Sequence, residues 1–279
     1  MLLLCSIMPF MACTSTEDEP YKPETEQPSD DPNNNEEEDN DTTPVYGHLT
    51  TANTVSDVVN HEAFNGFGRF ILPAERSYND NMTLQNVASM LPYHNYITGE
   101  RAVETINTMI DYVHDGNTLF YDIYSDADKQ ADSRKNNTGS VPFFRGEPGK
   151  PFAIVCPGGG FSYVGAIHEG FPLAIALSKM GYNAFSIQYR TGGAQVACED
   201  LAGAIDFIMR HAEELQVSTD DYSLWGGSAG ARMAAYLGSY GTQGFISAVH
   251  PRPATVVMGY TGHSDYTRND SPDICGYRR

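Results

Sequence analysis

The chain has 279 residues and a formal net charge of −19, from 36 acidic and 17 basic residues. That balance argues against nucleic-acid binding, which needs a basic face. Roughly 230 residues follow an acidic amino-terminal stretch, enough for one domain of ordinary size, and no internal repeat divides them.

Residues 1–12 are apolar (Leu2, Leu3, Leu4, Ile7, Met8, Phe10, Met11) and precede Cys13. The run is too short to span a bilayer as a mature helix. Phe10-Met11-Ala12-Cys13 resembles a lipoprotein cleavage box, with Ala12 as the small residue before a modified cysteine. Phe10 stands where Leu is usual, and no Lys or Arg precedes the apolar run. The expectation is a signal segment over 1–13 that ends at an acylated Cys13, which would serve as a membrane anchor.

Residues 14–43 hold twelve acidic residues and one lysine, so they carry −11 of the −19 and leave −8 for the rest. With few apolar side chains, such a segment cannot bury enough surface to fold, and like-charge repulsion extends it. Residues 14–44 are therefore expected to be a disordered acidic linker. Glu17-Asp18-Glu19 resembles the acidic export signal of surface lipoproteins in Bacteroidetes-type bacteria. The implied location is the bacterial cell envelope, lipid-anchored at the outer membrane and facing outward.

Within 45–279, residues 84–91 and 102–113 are predicted as helices, 117–124 as an early strand and 126–139 as a polar loop. Phe152-Ala153-Ile154-Val155-Cys156 is a short apolar run of the kind found in buried parallel strands. A helix is predicted over 168–180, ending near Gly181, then a strand over 183–190. Residues 199–215 carry Leu201, Ala204, Ile205, Ile208, Met209 and Ala212 at helical spacing. A strand over 221–225, a helix over 231–237 and a buried strand over 254–260 follow. Strands alternating with helices of this length indicate a parallel α/β sheet.

Two glycine-rich junctions carry the chemistry. The strand at 152–156 runs into Pro157-Gly158-Gly159-Gly160-Phe161. Consecutive glycines expose backbone N–H groups with no side chain in the way, as an oxyanion hole requires. A phosphate loop would add Gly-Lys-Ser/Thr, and a dinucleotide site G-x-G-x-x-G with a later acidic residue; neither is present, and no cofactor is expected. The second junction is Trp225-Gly226-Gly227-Ser228-Ala229-Gly230-Ala231. Gly226-x-Ser228-x-Gly230 between a strand and a helix is the pattern of a nucleophile elbow. By itself this motif also fits a helix start with small residues for packing; together with the glycine triplet it is far more specific.

These motifs, with His168-Glu169-Gly170, Gly181-Tyr182-Asn183-Ala184-Phe185, Tyr189-Arg190, Glu199-Asp200-Leu201 and Tyr260-Thr261-Gly262, resemble an α/β-hydrolase of the bacterial esterase/lipase type. More narrowly they resemble the branch with acetyl-xylan esterases and feruloyl-esterase-like domains. The resemblance implies an α/β-hydrolase three-layer sandwich with a mostly parallel central sheet. It implies Ser228 as nucleophile and the backbone N–H groups of Gly159, Gly160 and Ala229 as the oxyanion hole. Pro157 stands where the family usually has His. The implied function is hydrolysis of a carboxylic ester through an acyl-enzyme, on a small ester or an acetylated or feruloylated polysaccharide.

A serine of this kind needs a histidine to take its proton and a carboxylate to hold that histidine. In this fold they follow the serine along the chain, acid first. About 51 residues follow Ser228, with His250 before the strand at 254–260 and His263, Asp265, Asp270 and Asp273 after it. None stands beyond a further strand. The expectation is a chain that is C-terminally truncated, lacking its last strands and its triad acid and histidine, and inactive alone. A short variant that recruits His263 with Asp265 is the alternative.

The other cysteines form no framework: Cys156 ends a strand, Cys198 begins a helix and Cys275 lies near the end. No Cys/His spacing suggests zinc. His168-Glu169 lacks the second histidine of H-E-x-x-H, since position 172 is Pro, so no metal is expected and His168 reads as structural or pocket-lining. Two other function classes share the scaffold: a serine peptidase of the prolyl-oligopeptidase type, and a non-catalytic glycan-binding lipoprotein.

Overall fold

A computed structural model describes residues 47–261, except 65, 74–75, 77–78, 91–96 and 138–139. The expectations for the signal segment with Cys13, for the linker, and for His263, Asp265, Asp270, Asp273 and Cys275 lie outside the described residues.

The helices are α1 (Val55–Val59), α2 (Gly99–His114), α3 (Asp126–Ala131), α4 (Phe171–Lys179), α5 (Ala194–Arg210), α6 (Ala212–Leu215) and α7 (Ala229–Tyr240). The strands are β1 (Phe120–Asp122), β2 (Ser140–Phe144), β3 (Pro151–Cys156), β4 (Asn183–Ser186), β5 (Ser218–Gly227) and β6 (Thr255–Gly259). They form one sheet in the order β1-β2-β4-β3-β5-β6. The pairs β3–β4, β3–β5 and β5–β6 are parallel, while β1–β2 and β2–β4 are antiparallel.

This topology sorts the helices into layers. The chain steps from β3 to β4 in one direction across the sheet, then back past β3 to β5 and on to β6. Parallel crossovers are right-handed, so a reversal of direction sends the connecting helices to opposite faces. Accordingly α4 packs on β2, β3 and β4, whereas α7 packs on β3, β5 and β6 and against α5. The reversal makes the boundary between β3 and β5 a topological switch point, where open α/β sheets bind ligands at the carboxyl ends of their strands.

Continuous burial explains the centre. Every residue from Phe152 to Cys156 is buried, as expected where helices cover both faces of a parallel strand. Phe143 on β2 stacks on its register partner Phe185 on β4, ring centres 4.2 Å apart, and Phe152 stacks on Tyr222 at 4.7 Å. Such cross-strand aromatic pairs hold the register. Helix α2 buries Ala102, Ile106, Met109 and Ile110 at helical spacing, and the Thr98 hydroxyl caps it by accepting the Arg101 N–H at 3.3 Å.

Several expected elements differ. Residues 84–90 form a 3₁₀ helix rather than an α-helix. The expected loop at 126–139 contains α3, closed by a capping box between Ser125 and Asp128, and a 3₁₀ turn at Ser133–Asn137. Strand β4 stops at Ser186 instead of 190; the Ile187 N–H still reaches the Val155 carbonyl at 3.0 Å, but the Arg190 N–H turns to the Asp200 carboxylate. Helix α5 starts at Ala194, five residues before its expected start, placing Cys198 inside it. The expected buried strand at 254–260 is exposed at Thr255 and half-buried from Val256 to Gly259. Helix α7 covers one face of β6, while beside its other face a cleft opens.

Candidate active site

Ser228 is the single residue between the end of β5 and the start of α7. Its backbone has φ 51° and ψ −118°, a strained conformation for a side chain with a Cβ. The Ser228 N–H donates to the Gly259 carbonyl at 3.0 Å, so β6 fixes the turn from one side. The glycines on either side are required by contact. A Cβ on Gly226 would lie 2.3 Å from the backbone of Gly230, and one on Gly230 would lie 1.8 Å from the Cys156 carbonyl oxygen. The half-buried serine is thereby lifted off the sheet, next to the first turn of a twelve-residue helix. Ala229 is the first residue of that helix, and its N–H belongs to the positive, unpaired end.

The loop after β3 adjoins this turn. Cys156 and Gly226 are register partners on β3 and β5, and a Cβ on Gly158 would come within 3.0 Å of the Ser228 Cβ. Gly159 (φ 138°) and Gly160 (φ 63°) both need the left-handed region. The loop spends its carbonyls internally: Gly158 accepts the Gly165 N–H at 2.9 Å and Gly159 accepts the Ser162 N–H at 3.0 Å. The Tyr189 hydroxyl donates to the Pro157 carbonyl at 2.8 Å. Among the described residues, the N–H groups of Gly159 and Gly160 have no acceptor. Gly159, Gly160, Ser228 and Ala229 thus occupy the loops at the carboxyl ends of two neighbouring strands.

One residue was not foreseen. The Glu169 carboxylate accepts the Gly158 N–H at 2.7 Å, reaching across eleven positions of sequence. It sits on a π-helical turn at Ala166–Gly170 ahead of α4. Helical periodicity places a side chain on a face but does not show that it bends back to a loop, so only the glycines that make room for it hint at the contact.

His168, on the same turn, is buried and lines two clefts. One of about 430 Å³ lies beside the elbow, with Trp225, Leu173, Val257 and Tyr260 in its walls. The other, of about 330 Å³, lies between α2 and α4. His250 does not reach the serine. It precedes β6 and therefore stands at the opposite end of the parallel strands from Ser228, where it bonds Asp206 at 2.8 Å. Cys156 is no rival nucleophile, because burial pushes its thiol far above the ordinary range.

Solved structures similar to this chain include MGS-M1, an α/β hydrolase enzyme from a Medee basin deep-sea metagenome library. It is 24% identical over 48% of this chain and 57% of its own, with a TM-score of 0.40. A putative carboxylesterase from Lactobacillus plantarum WCFS1 is 23% identical, over 46% of this chain and 55% of its own, with a TM-score of 0.40. An acetyl ester-xyloside bifunctional hydrolase from Caldicellulosiruptor lactoaceticus is 23% identical, over 44% and 48%, with a TM-score of 0.39. The match spans about half the length of each of these structures. No curated protein matches the chain. Among the described residues, the mixed six-stranded sheet with helices on both faces is consistent with the α/β-hydrolase fold, and residues 145–256, from just before β3 into β6, match the BD-FAE family model.

Proposed function

We propose that this site hydrolyses carboxylic esters, with Ser228 as nucleophile and the N–H groups of Gly159, Gly160 and Ala229 as the oxyanion hole. The observation that carries the reading is the strained backbone of Ser228 at the switch point, directly beside the glycine loop of β3. A serine is held in such a conformation only where the surrounding structure imposes it. In the reaction, a histidine takes the proton from Oγ as Oγ attacks the ester carbonyl. The oxyanion then rests against the backbone donors, each worth about 2.7–4 kcal/mol. The alcohol leaves, and water hydrolyses the acyl-enzyme.

The substrate class in this reading is an acetyl or feruloyl ester on carbohydrate, supported by the motif resemblance and the BD-FAE match over 145–256. The enzyme is tethered to the bacterial envelope by a lipid on Cys13, with residues 14–44 as the tether. Loss of labelled-palmitate incorporation in Cys13→Ala tests the anchor.

Fluorophosphonate labelling tests the nucleophile, because only an activated serine reacts. The expected result is one adduct on Ser228 and none in Ser228→Ala. Absence of an adduct on the wild-type chain would leave two readings: a serine with no histidine to activate it, or a glycan-binding protein on a hydrolase scaffold.

A further inference from the structure

We infer that Glu169 is a positioning residue for the oxyanion loop, an assignment that rests on the reading of Ser228 as nucleophile. Its carboxylate lies where three glycines leave room. A Cβ on Gly158 or on Gly227 would approach Oε2 to 3.0 Å, and one on Gly165 would approach Oε1 to 3.6 Å. These glycines belong to the loop after β3, to the segment leading into the π-helical turn, and to the end of β5. One carboxylate therefore touches both halves of the site. Its bond to the Gly158 N–H, at 2.7 Å, is charge-assisted. That bond occupies the first N–H of the triplet and ties the loop to the π-helical turn at Gly158. The Gly165 N–H closes the other side of Gly158 at 2.9 Å. Gly159 and Gly160, held from one end, keep their own N–H groups for the oxyanion. Glu169 itself does not enter the reaction.

The experiment compares wild type, Glu169→Ala and Glu169→Gln on the full chain. Glutamine keeps an oxygen acceptor and loses the charge; alanine loses both. The first readout is saturation kinetics of Ser228 labelling by a fluorophosphonate, and the second is amide exchange of Gly158. In Glu169→Ala the maximal labelling rate should fall about 10²-fold, the scale of a displacement near 1 Å. The half-saturating concentration should stay unchanged, because the loop acts on the charged transition state. Glu169→Gln should recover most of the rate, and Gly158 exchange should accelerate only in Glu169→Ala. Equal labelling of wild type and Glu169→Ala, or unchanged Gly158 exchange, overturns the role of Glu169 alone. A wild-type chain that does not label overturns the reading of Ser228, and the exchange comparison then still decides whether Glu169 holds the loop.

Discussion

A Cβ on Gly230 would stand 1.8 Å from the carbonyl oxygen of Cys156. The first turn of α7 thus rests directly on the last peptide of β3, and that contact sets the height of Ser228 above the sheet.

Gly230→Ala is therefore expected to be severe. Overpacking a core usually costs about 1–3 kcal/mol, and here the obstacle is backbone on both sides, so a loss at or above the upper end is expected. The midpoint of urea unfolding should drop accordingly with little change in slope. A Gly230→Ala protein as stable as wild type would contradict the contact.

The second prediction concerns Arg190 and Asp200. Asp200 is fully buried and Arg190 nearly so. Arg190 donates to this carboxylate from its N–H at 2.5 Å and from Nε at 2.9 Å; Nη2 lies 2.8 Å from the same carboxylate. Tyr124 donates to the same carboxylate, and Nη1 of Arg190 reaches Asp132 at 2.8 Å. Burial alone would lower the guanidinium pKa, but the hydrogen bond and charge of Asp200 lift it above its ordinary value. Arg190→Met should cost about 3–5 kcal/mol, because it strands a buried carboxylate. Arg190→Met with Asp200→Leu should cost less than the sum of the two single changes, as read from a double-mutant cycle of unfolding free energies.

The parts of the molecule that were legible in the sequence are those with an all-or-none local requirement. Buried β3 needs an unbroken apolar run, and the turn at Ser228 and the loop after β3 need glycines where a Cβ would strike backbone. Strand β2 escaped notice because Pro142 sits within it and because its pairing with β1 and β4 is antiparallel and non-local. Helix α3 escaped because its six residues bury nothing; its capping box, Ser125 with Asp128, was the available signal. The hold of Glu169 on Gly158 escaped because it depends on the direction of one side chain, which no period encodes.

A third prediction follows from Asp206, which His250 and Arg210 each approach at 2.8 Å. Burial alone would raise this carboxyl, but the hydrogen bonds from His250 and Arg210 hold it below the usual carboxylate range. The unfolded chain therefore takes up a proton at Asp206 at a pH where the folded chain does not, and the stabilisation is present above the unfolded pKa of about 4. It is lost as pH falls through the lower, folded value. The stability difference between wild type and Asp206→Asn should narrow as the pH falls below about 4. A gap that widens on acidification would contradict this assignment.

The last prediction separates strain from chemistry at Ser228. With φ 51° and ψ −118°, its backbone carries strain of about 1–3 kcal/mol. Ser228→Ala removes the hydroxyl but keeps a Cβ in the same conformation, so its stability should stay within about 0.5 kcal/mol of wild type. Ser228→Gly relieves the strain and gives back ~0.4–1 kcal/mol through the freer unfolded chain. A net gain of about 1 kcal/mol over Ser228→Ala is expected, read as a shift in urea midpoint. A Ser228→Gly protein less stable than Ser228→Ala would mean that the turn is held without strain. The gain would instead identify this position as one where the fold gives up stability to present a hydroxyl, a cost that a helix start chosen for packing alone would have no reason to carry.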